Sequence, residues 1–505
     1  MSNPKTSGSV PPPEVRDGWV RASDLDAFLG RNLPIPTRVI SNEEYFPLPQ
    51  TPEQRAVEHR LLEAADQAAL RQGVTRRRFL RTSCGMAAAF AALNSVFGPF
   101  FTVDAAELFE PAAAAEKKAD YFIFDVQTHH VATEHEAPTA SKEFLQYLFD
   151  LRRGFAAKVN PELAKREPAM SDLHLENYIK EVFLDSETDV AVLSGLPSET
   201  EAGDVLPPAL MARTRAAVNE LAKSRRLVIH GKISPDLGAR NREIMQQQAE
   251  SLKIEAWKGY TGQSMVKGEA GWWLDDEKRT YPVLEYSRKL GIRNICLHKG
   301  LPLFPGNDEY WSPKDVVKTA KDFPDLNFLL YHSGFKGLQD ALPAAQDGFQ
   351  KTAYIPWVSD LCEWRRKNAH MTNVYMELGS TFGMMAATSP MLCCHVLGMI
   401  LQAFGEDHVL WGTDSVWWGS PQWQIEALRR LQMPEDLMKR FGYKPLTVDV
   451  KRKIFGLNGA RLYGIDPKAK RNPIPGDYVD RLRKQYHESG LAAPSNTQYG
   501  WIRVA

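Results

Sequence analysis

The sequence shows no excess of either charge: Lys+Arg and Asp+Glu both number 62, and the formal net charge is zero. That balance leaves no electrostatic footprint for nucleic acid or an anionic membrane surface. Cysteine is scarce. Cys84, Cys296, Cys362, Cys393 and Cys394 are irregularly spaced and contain no Cys-x-x-Cys pair, which excludes a disulfide framework and a structural zinc knuckle. The adjacent Cys393 and Cys394 fall in an apolar helical pattern and are expected to be buried thiols. No Gly-x-Gly-x-x-Gly follows the first apolar run, and neither a P-loop nor a Gly-x-Ser-x-Gly elbow occurs. Dinucleotide binding, P-loop chemistry and an elbow-type serine hydrolase are therefore set aside. With 43% apolar and 25% charged residues, the 505-residue chain can bury a sizeable core. It can do so as two or three average domains or as one large α/β domain with extensions.

What is present from residue 119 onward is alternation. Short apolar, β-branched runs occur at 121–126, 190–194, 227–233, 254–257, 294–297, 327–331, 374–378 and 409–412. Amphipathic segments lie between them, for example at 209–222, 281–290, 313–322 and 395–404. Strands alternating with helices imply a parallel α/β sheet. Eight such units predict a (β/α)8 TIM barrel over residues 119–466, with an N-terminal extension and loop insertions. The runner-up is an open doubly wound sheet, which would carry a Gly-rich phosphate turn after its first strand.

Reactive groups of such barrels stand at the C-terminal ends of the strands. Strand one ends Asp125-Val126-Gln127-Thr128-His129-His130, strand five ends at His298-Lys299, strand six at His332-Ser333-Gly334 and strand eight at Thr413-Asp414-Ser415. Residues two apart on a strand share a face, so Gln127 and His129 both address the barrel mouth. Of the twelve histidines, His129, His130, His298 and His332 closely follow apolar strands. Imidazoles with one carboxylate suit zinc or a similar divalent ion and leave positions open for water and substrate. The remaining histidines read as packing or surface groups, with His174 and His230 intermediate.

The motifs Phe124-Asp125-Val126-Gln127-Thr128-His129-His130, Tyr331-His332-Ser333-Gly334 and Trp411-Gly412-Thr413-Asp414-Ser415 resemble the amidohydrolase superfamily. The nearest branch is similar to the amidohydrolase-related group that includes aminocarboxymuconate-semialdehyde decarboxylase and resorcylate-type decarboxylases. Residues 454–464 resemble that group's closing helix, which packs under the barrel. The resemblance implies metal ligands at His129, His298 and Asp414, with His332 acting on water or substrate and Asp414 also catalytic. The metal it implies is zinc, with manganese as the alternative. The family has His-x-His or Glu-x-His on strand one. Here the first position is Gln127, a neutral and weaker donor. Lys258, expected to end strand four, Lys299 and His130 are candidate substrate contacts, each with an ion pair or packing role as the rival. Glu377 near the end of strand seven reads as structural, and Trp272, Trp273, Trp357, Trp417 and Trp418 are candidate pocket walls.

Ahead of the barrel, Thr75-Arg76-Arg77-Arg78-Phe79-Leu80-Arg81 precedes a small-residue apolar run at 84–101. The segment resembles a twin-arginine translocation signal, although it begins far from the first residue. Ala112-Ala113-Ala114-Ala115 offers an Ala-x-Ala cleavage pattern, or else a linker. The expected organisation is an N-terminal extension at 1–74 with a Pro-rich start and a helix near 53–72, a signal and linker at 75–118, the barrel at 119–466 and a tail at 467–505. The expected partners are a small-molecule substrate and the twin-arginine export machinery, with a homodimer left open and nucleic acid excluded. The expected location is periplasmic, membrane-anchored where the signal is uncleaved.

These residues lead to a metal-dependent hydrolase of a small ester, lactone or amide acting through an activated water. A decarboxylase of an aromatic or unsaturated carboxylate is the alternative, and a metal-free binding protein descended from such an enzyme is the second alternative.

Overall fold

A computed structural model of the chain describes residues 19–21, 33–37, 50–116, 120–133, 135–140, 142, 173–303, 307–416, 419–467, 476–489 and 501–503. The expected apolar runs form eight strands in one sheet: β1 (Phe124–Thr128), β2 (Val190–Leu193), β3 (Leu227–Ile233), β4 (Ala256–Tyr260), β5 (Asn294–His298), β6 (Asn327–Tyr331), β7 (Val374–Glu377) and β8 (Val409–Leu410). Neighbours in the chain are neighbours in the sheet, and the pairs are parallel. The ring closes where Val126 donates its N–H to Trp411 O (2.9 Å) and Asp414 to Gln127 O (2.9 Å). A (β/α)8 barrel results, with helices between the strands.

Alternation along the strands divides the core in two. Phe124, Val126, Val190, Val192, Val228, Ala256, Cys296, Leu329 and Tyr331 fill the interior together with Tyr463, while Leu193, Ile229, Trp257, Leu297, Phe328 and Leu330 face the helices. In β1 the register shifts between Asp125 and Thr128. This irregularity moves the inward face from even to odd positions. Val126 packs in the interior, Thr128 bonds outward to Tyr178 (2.9 Å) and Gln127 reaches the mouth. The closing segment at 453–462 packs under the barrel, so tightly that a Cβ on Gly456 would fall 2.2 Å from Phe122 O.

One strand differs from expectation. β4 lies about two residues later than the apolar pattern suggests, so Lys258 stands inside the strand, paired with Lys232 and Cys296 in register. The two-residue period carries Lys258 inward with Ala256, where its Nζ lies 3.7 Å from the Tyr331 ring centre and 4.8 Å from that of Tyr260.

Two additions flank the barrel. Helix α1 (Pro52–Gln72) is opened by a reciprocal cap between Thr51 and Gln54 and closed by Gly73 in the left-handed conformation. Helix α2 (Ser83–Phe97) packs against it. The chain then meets helix α3 (Gln422–Arg430) and the turn after it, where Thr102 donates to Arg430 O and Gln432 to Phe100 O. Helix α4 (Tyr478–Glu488) docks on the opposite, N-terminal end of the strands. The short strand Trp19–Arg21 pairs antiparallel with Trp501–Arg503. Among the described residues no helix is long and apolar enough to cross a membrane. The Pro-rich start, Lys117, Lys118, Trp417 and Trp418 lie outside the described residues.

Candidate active site

At the mouth, β1, β5, β6 and the turn after β8 bring together Gln127, His129, His298, His332 and Asp414, each no more than 2% exposed. His129 Nε2 lies 3.0 Å from Asp414 Oδ1, which also accepts a bond from Gln127 Nε2 at 2.8 Å. His332 Nε2 lies 3.2 Å from His298 Nδ1.

The outer nitrogen of each ring fixes its tautomer. His129 Nδ1 contacts Ser194 O (2.7 Å), His298 Nε2 contacts Leu301 O (2.9 Å) and His332 Nδ1 contacts Gly379 O (2.8 Å). A carbonyl oxygen only accepts, so each of these nitrogens carries a proton; the neutral rings of His298 and His332 turn a lone pair inward, whereas His129 meets the Asp414 carboxylate on its other nitrogen. Burial holds His298 well below the usual imidazole range, helped by His332 beside it, and holds His332 at about 4. Both are neutral at pH 7, so two lone pairs face each other at 3.2 Å. Burial pushes Asp414 upward, but the bond and charge of His129 outweigh it and the carboxyl titrates below its ordinary value. Gln127 Oε1 is buried without a hydrogen-bond partner.

Residues 377–381, following β7, hold this arrangement. Glu377 accepts the N–H of His332 on Oε2 (3.0 Å) and that of Gly379 on Oε1 (2.6 Å), and Thr381 Oγ1 donates to His332 O (2.9 Å). Ser380 Oγ donates to Asp414 Oδ2. Burial pushes the Glu377 carboxyl up to about 8. Two glycines make room for it, since a Cβ on Gly412 would fall 1.6 Å from Glu377 Oε1 and one on Gly379 2.6 Å from it. His332, Ser333, Ser380 and Asp414 all have φ between 53° and 68°, a region costing non-glycine residues on the order of 1–3 kcal/mol each. Glu377 and Ser380 are thus residues of the site that strand-end reasoning left aside. The available signal was the small polar run Gly379-Ser380-Thr381 directly after an apolar strand.

Other expected members do not join the mouth. Lys299 is completely buried and gives its protons to Asp315 Oδ2 (2.8 Å), Tyr310 O (2.9 Å) and Ser312 O (3.0 Å), so its ammonium pins a loop and has none left for a substrate. His130 points into the helix layer, with Nε2 3.0 Å from Thr214 Oγ1, and burial lowers it to about 4. Lys258, in register with Cys296 two residues before His298, points into the barrel interior, from where its charge helps lower His298 and His332. Of the tryptophans, Trp272 packs on Gly259 and Trp357 packs on the cluster of Tyr260, Leu303 and Trp311. Tyr260 and Trp311, which pattern reading did not single out, wall His298 with ring centres at 5.4 and 4.9 Å.

The inward lone pairs of His298 and His332, the imidazole of His129, one carboxylate and an unpartnered amide oxygen form a donor set whose chemistry fits a divalent cation. Among the described residues, however, no three His, Cys, Asp or Glu side chains are gathered around one point as an ion cage. The donors close on one another in two pairs, His129 with Asp414 and His298 with His332.

The family model of the amidohydrolases ("Amidohydrolase") matches residues 246–465, which include His298, His332 and Asp414 but not β1. No curated protein matches the chain. Among solved structures, 5-carboxyvanillate decarboxylase from Sphingomonas paucimobilis is 16% identical, covering 69% of this chain and 100% of its own, at a TM-score of 0.42. A probable 2-pyrone-4,6-dicarboxylic acid hydrolase from Acinetobacter baumannii is 12% identical, covering 68% and 100%, at 0.40. A dihydroxybenzoic acid decarboxylase from a Polaromonas species, solved with manganese and 2-nitroresorcinol, is 15% identical, covering 70% and 100%, at 0.38. The chain is thus similar to the amidohydrolases from β4 to the end of its barrel, the part that supplies three of the five residues at the mouth.

Proposed function

We propose that the protein is a metal-dependent enzyme of the amidohydrolase type that hydrolyses a small organic ester, lactone or amide. The observation that carries the reading is the locking of three strand-end imidazoles by backbone carbonyls, which leaves the inner nitrogens of His298 and His332 unprotonated and turns that of His129 onto the Asp414 carboxylate. His129, His298 and Asp414, with Gln127 Oε1, are the residues that would hold the ion. A divalent ion bound there supplies Lewis acidity and lowers the pKa of water toward neutrality. His332, neutral and held at three points by residues 377–381, is placed to take a proton on Nε2 from a substrate or water. Asp414, tethered through Oδ2 by Ser380, keeps Oδ1 for the mouth.

A second reading, decarboxylation of an aromatic carboxylate, draws on the flat walls of Tyr260 and Trp311 beside His298. A third, a metal-free binding protein, draws on the neutral Gln127 and on the two closed donor pairs.

The test is metal analysis of protein purified without chelator, followed by titration of metal-stripped protein with zinc and with manganese at pH 7. About one equivalent per chain is expected, with no need to deprotonate His298 at pH 7 because its ring is already neutral there. Trace metal, together with no uptake and no activation of aryl-ester, lactone or hydroxybenzoate turnover, would overturn the enzyme reading. Consumption of hydroxybenzoates alone, with release of carbon dioxide, would select decarboxylation. His298→Ala and Asp414→Ala are expected to abolish metal retention.

A further inference from the structure

The Arg-rich segment and its apolar run look like an export leader in the sequence, yet their packing describes something else. Phe79 and Leu80 are 0% and 2% exposed. Four consecutive residues of α2, Ala87, Ala88, Ala89 and Phe90, are each at most 1% exposed. Consecutive residues step about 100° around a helix, so this run is covered on every side, whereas a helix laid on a surface hides one stripe. The covering groups belong to the protein itself. α1 lies along one side, Phe101 packs on Phe90 with ring centres 4.8 Å apart, and Arg430 of the barrel stands over the Phe90 ring. Arg430 also pairs with the buried Glu107 at 2.7 Å. The backbone bonds between 100–102 and 430–432 bind this segment to the end of α3. Gly85 allows the first turn of α2 to press on the preceding turn, because a Cβ there would fall 2.5 Å from Phe79 O. The four-alanine stretch forms a helix, Pro111–Ala115, with Ala114 packed into the main core. The stretch is thus helical rather than the extended form a peptidase cleaves, with Ala112 and Ala115 exposed on its outer side.

We infer that residues 51–115 are a permanent part of the folded protein, and that the partner of the apolar run is the chain's own helical layer rather than a membrane or a translocation channel. Arg76, Arg77 and Arg78 remain exposed at the start of the buried hairpin, with Arg76 bonded to Asp66. This inference does not rest on the reading of the barrel mouth.

The test expresses the full chain in a bacterium with a twin-arginine route, and reads intact mass, N-terminal sequence, compartment and thermal midpoint. The expected mature protein begins before Pro52, and the double variant Arg76→Lys with Arg77→Lys leaves both compartment and midpoint unchanged. Leu93→Ala, which truncates a side chain 1% exposed, is expected to lower the midpoint by on the order of 5 °C. A folded product beginning between residues 112 and 120, or a loss of exported protein in the arginine double variant, would overturn the inference. So would a midpoint that Leu93→Ala fails to move.

Discussion

The two ends of the barrel both bury charge, and they treat it in opposite ways. At the N-terminal end, Arg226 lies fully buried before β3. Its Nε and Nη2 form a fork with the carboxylate of Asp477 at 2.7 and 2.8 Å, and Nη2 also bonds Asp480 at 3.1 Å. Its Nη1 reaches Thr188 O and Asp189 O, and Ser224 donates to Asp477. Donors there meet acceptors. At the C-terminal end, lone pairs face lone pairs, an amide oxygen has no hydrogen-bond partner, and four non-glycine residues occupy strained backbone. A matched polar network stabilises the fold, while an unmatched one is tolerated where function requires it. The contrast therefore separates the end that holds the protein together from the end that acts.

The sharpest break is at the matched end. Arg226→Ala leaves the buried Asp477 without its cation, while Asp480 keeps Arg483 at 3.2 Å; a loss of about 3–5 kcal/mol in urea unfolding is expected, with metal uptake per folded chain unchanged. The same pair sets an acid limit. Burial alone would raise Asp477, but the bonds from Arg226 and Ser224 outweigh it and hold the carboxyl below its ordinary value. The folded state thus binds the proton less tightly than the unfolded one. This stability is present above the ordinary carboxylate range and is lost as pH falls through the depressed value. An acid titration of the unfolding midpoint should show this loss in the parent and not in Arg226→Ala.

At the unmatched end the expected signs change. Ser380→Ala removes the donor that orients Asp414. It should weaken manganese binding about 10–100-fold while moving stability by no more than about 1 kcal/mol; calorimetry and urea unfolding on one preparation check both. Gln127→His sharpens the comparison further, since imidazole is the better donor. Zinc affinity should rise by about tenfold or more, with the unfolding midpoint little changed. A fall in affinity would show that Gln127 serves the site through its bond to Asp414 rather than as a ligand.

Much of this was legible in the residues. Six of the eight strands begin where the apolar runs begin, because a near-continuous apolar run is a direct demand of a parallel sheet buried on both faces. His129, His298, His332 and Asp414 were visible because barrel strands end in reactive groups. Glu377 and Ser380 were not, because their importance lies in bonds to groups 45 and 34 residues away rather than in residue type. Lys299 was misleading for the converse reason. A lysine beside a site histidine has the right chemistry for a substrate clamp, but Asp315, 16 residues on, already holds it. The arginine motif shows the same limit, because a weakly apolar alanine-rich run suits a leader and a buried helix equally well until its neighbours are known.

By itself the sequence determined the alternation of strands and helices, the end of the barrel at which chemistry collects and the residue types available there, since each follows from local periodicity and side-chain chemistry. Tertiary structure alone decided the rest. It turned His129 and His332 by hydrogen bonds to distant carbonyls, brought Gln127 against Asp414 across 287 positions, and wrapped the apolar run inside the protein. Hydrogen-bond partners and burial belong to pairs of residues, and those pairs come into being only when the chain folds.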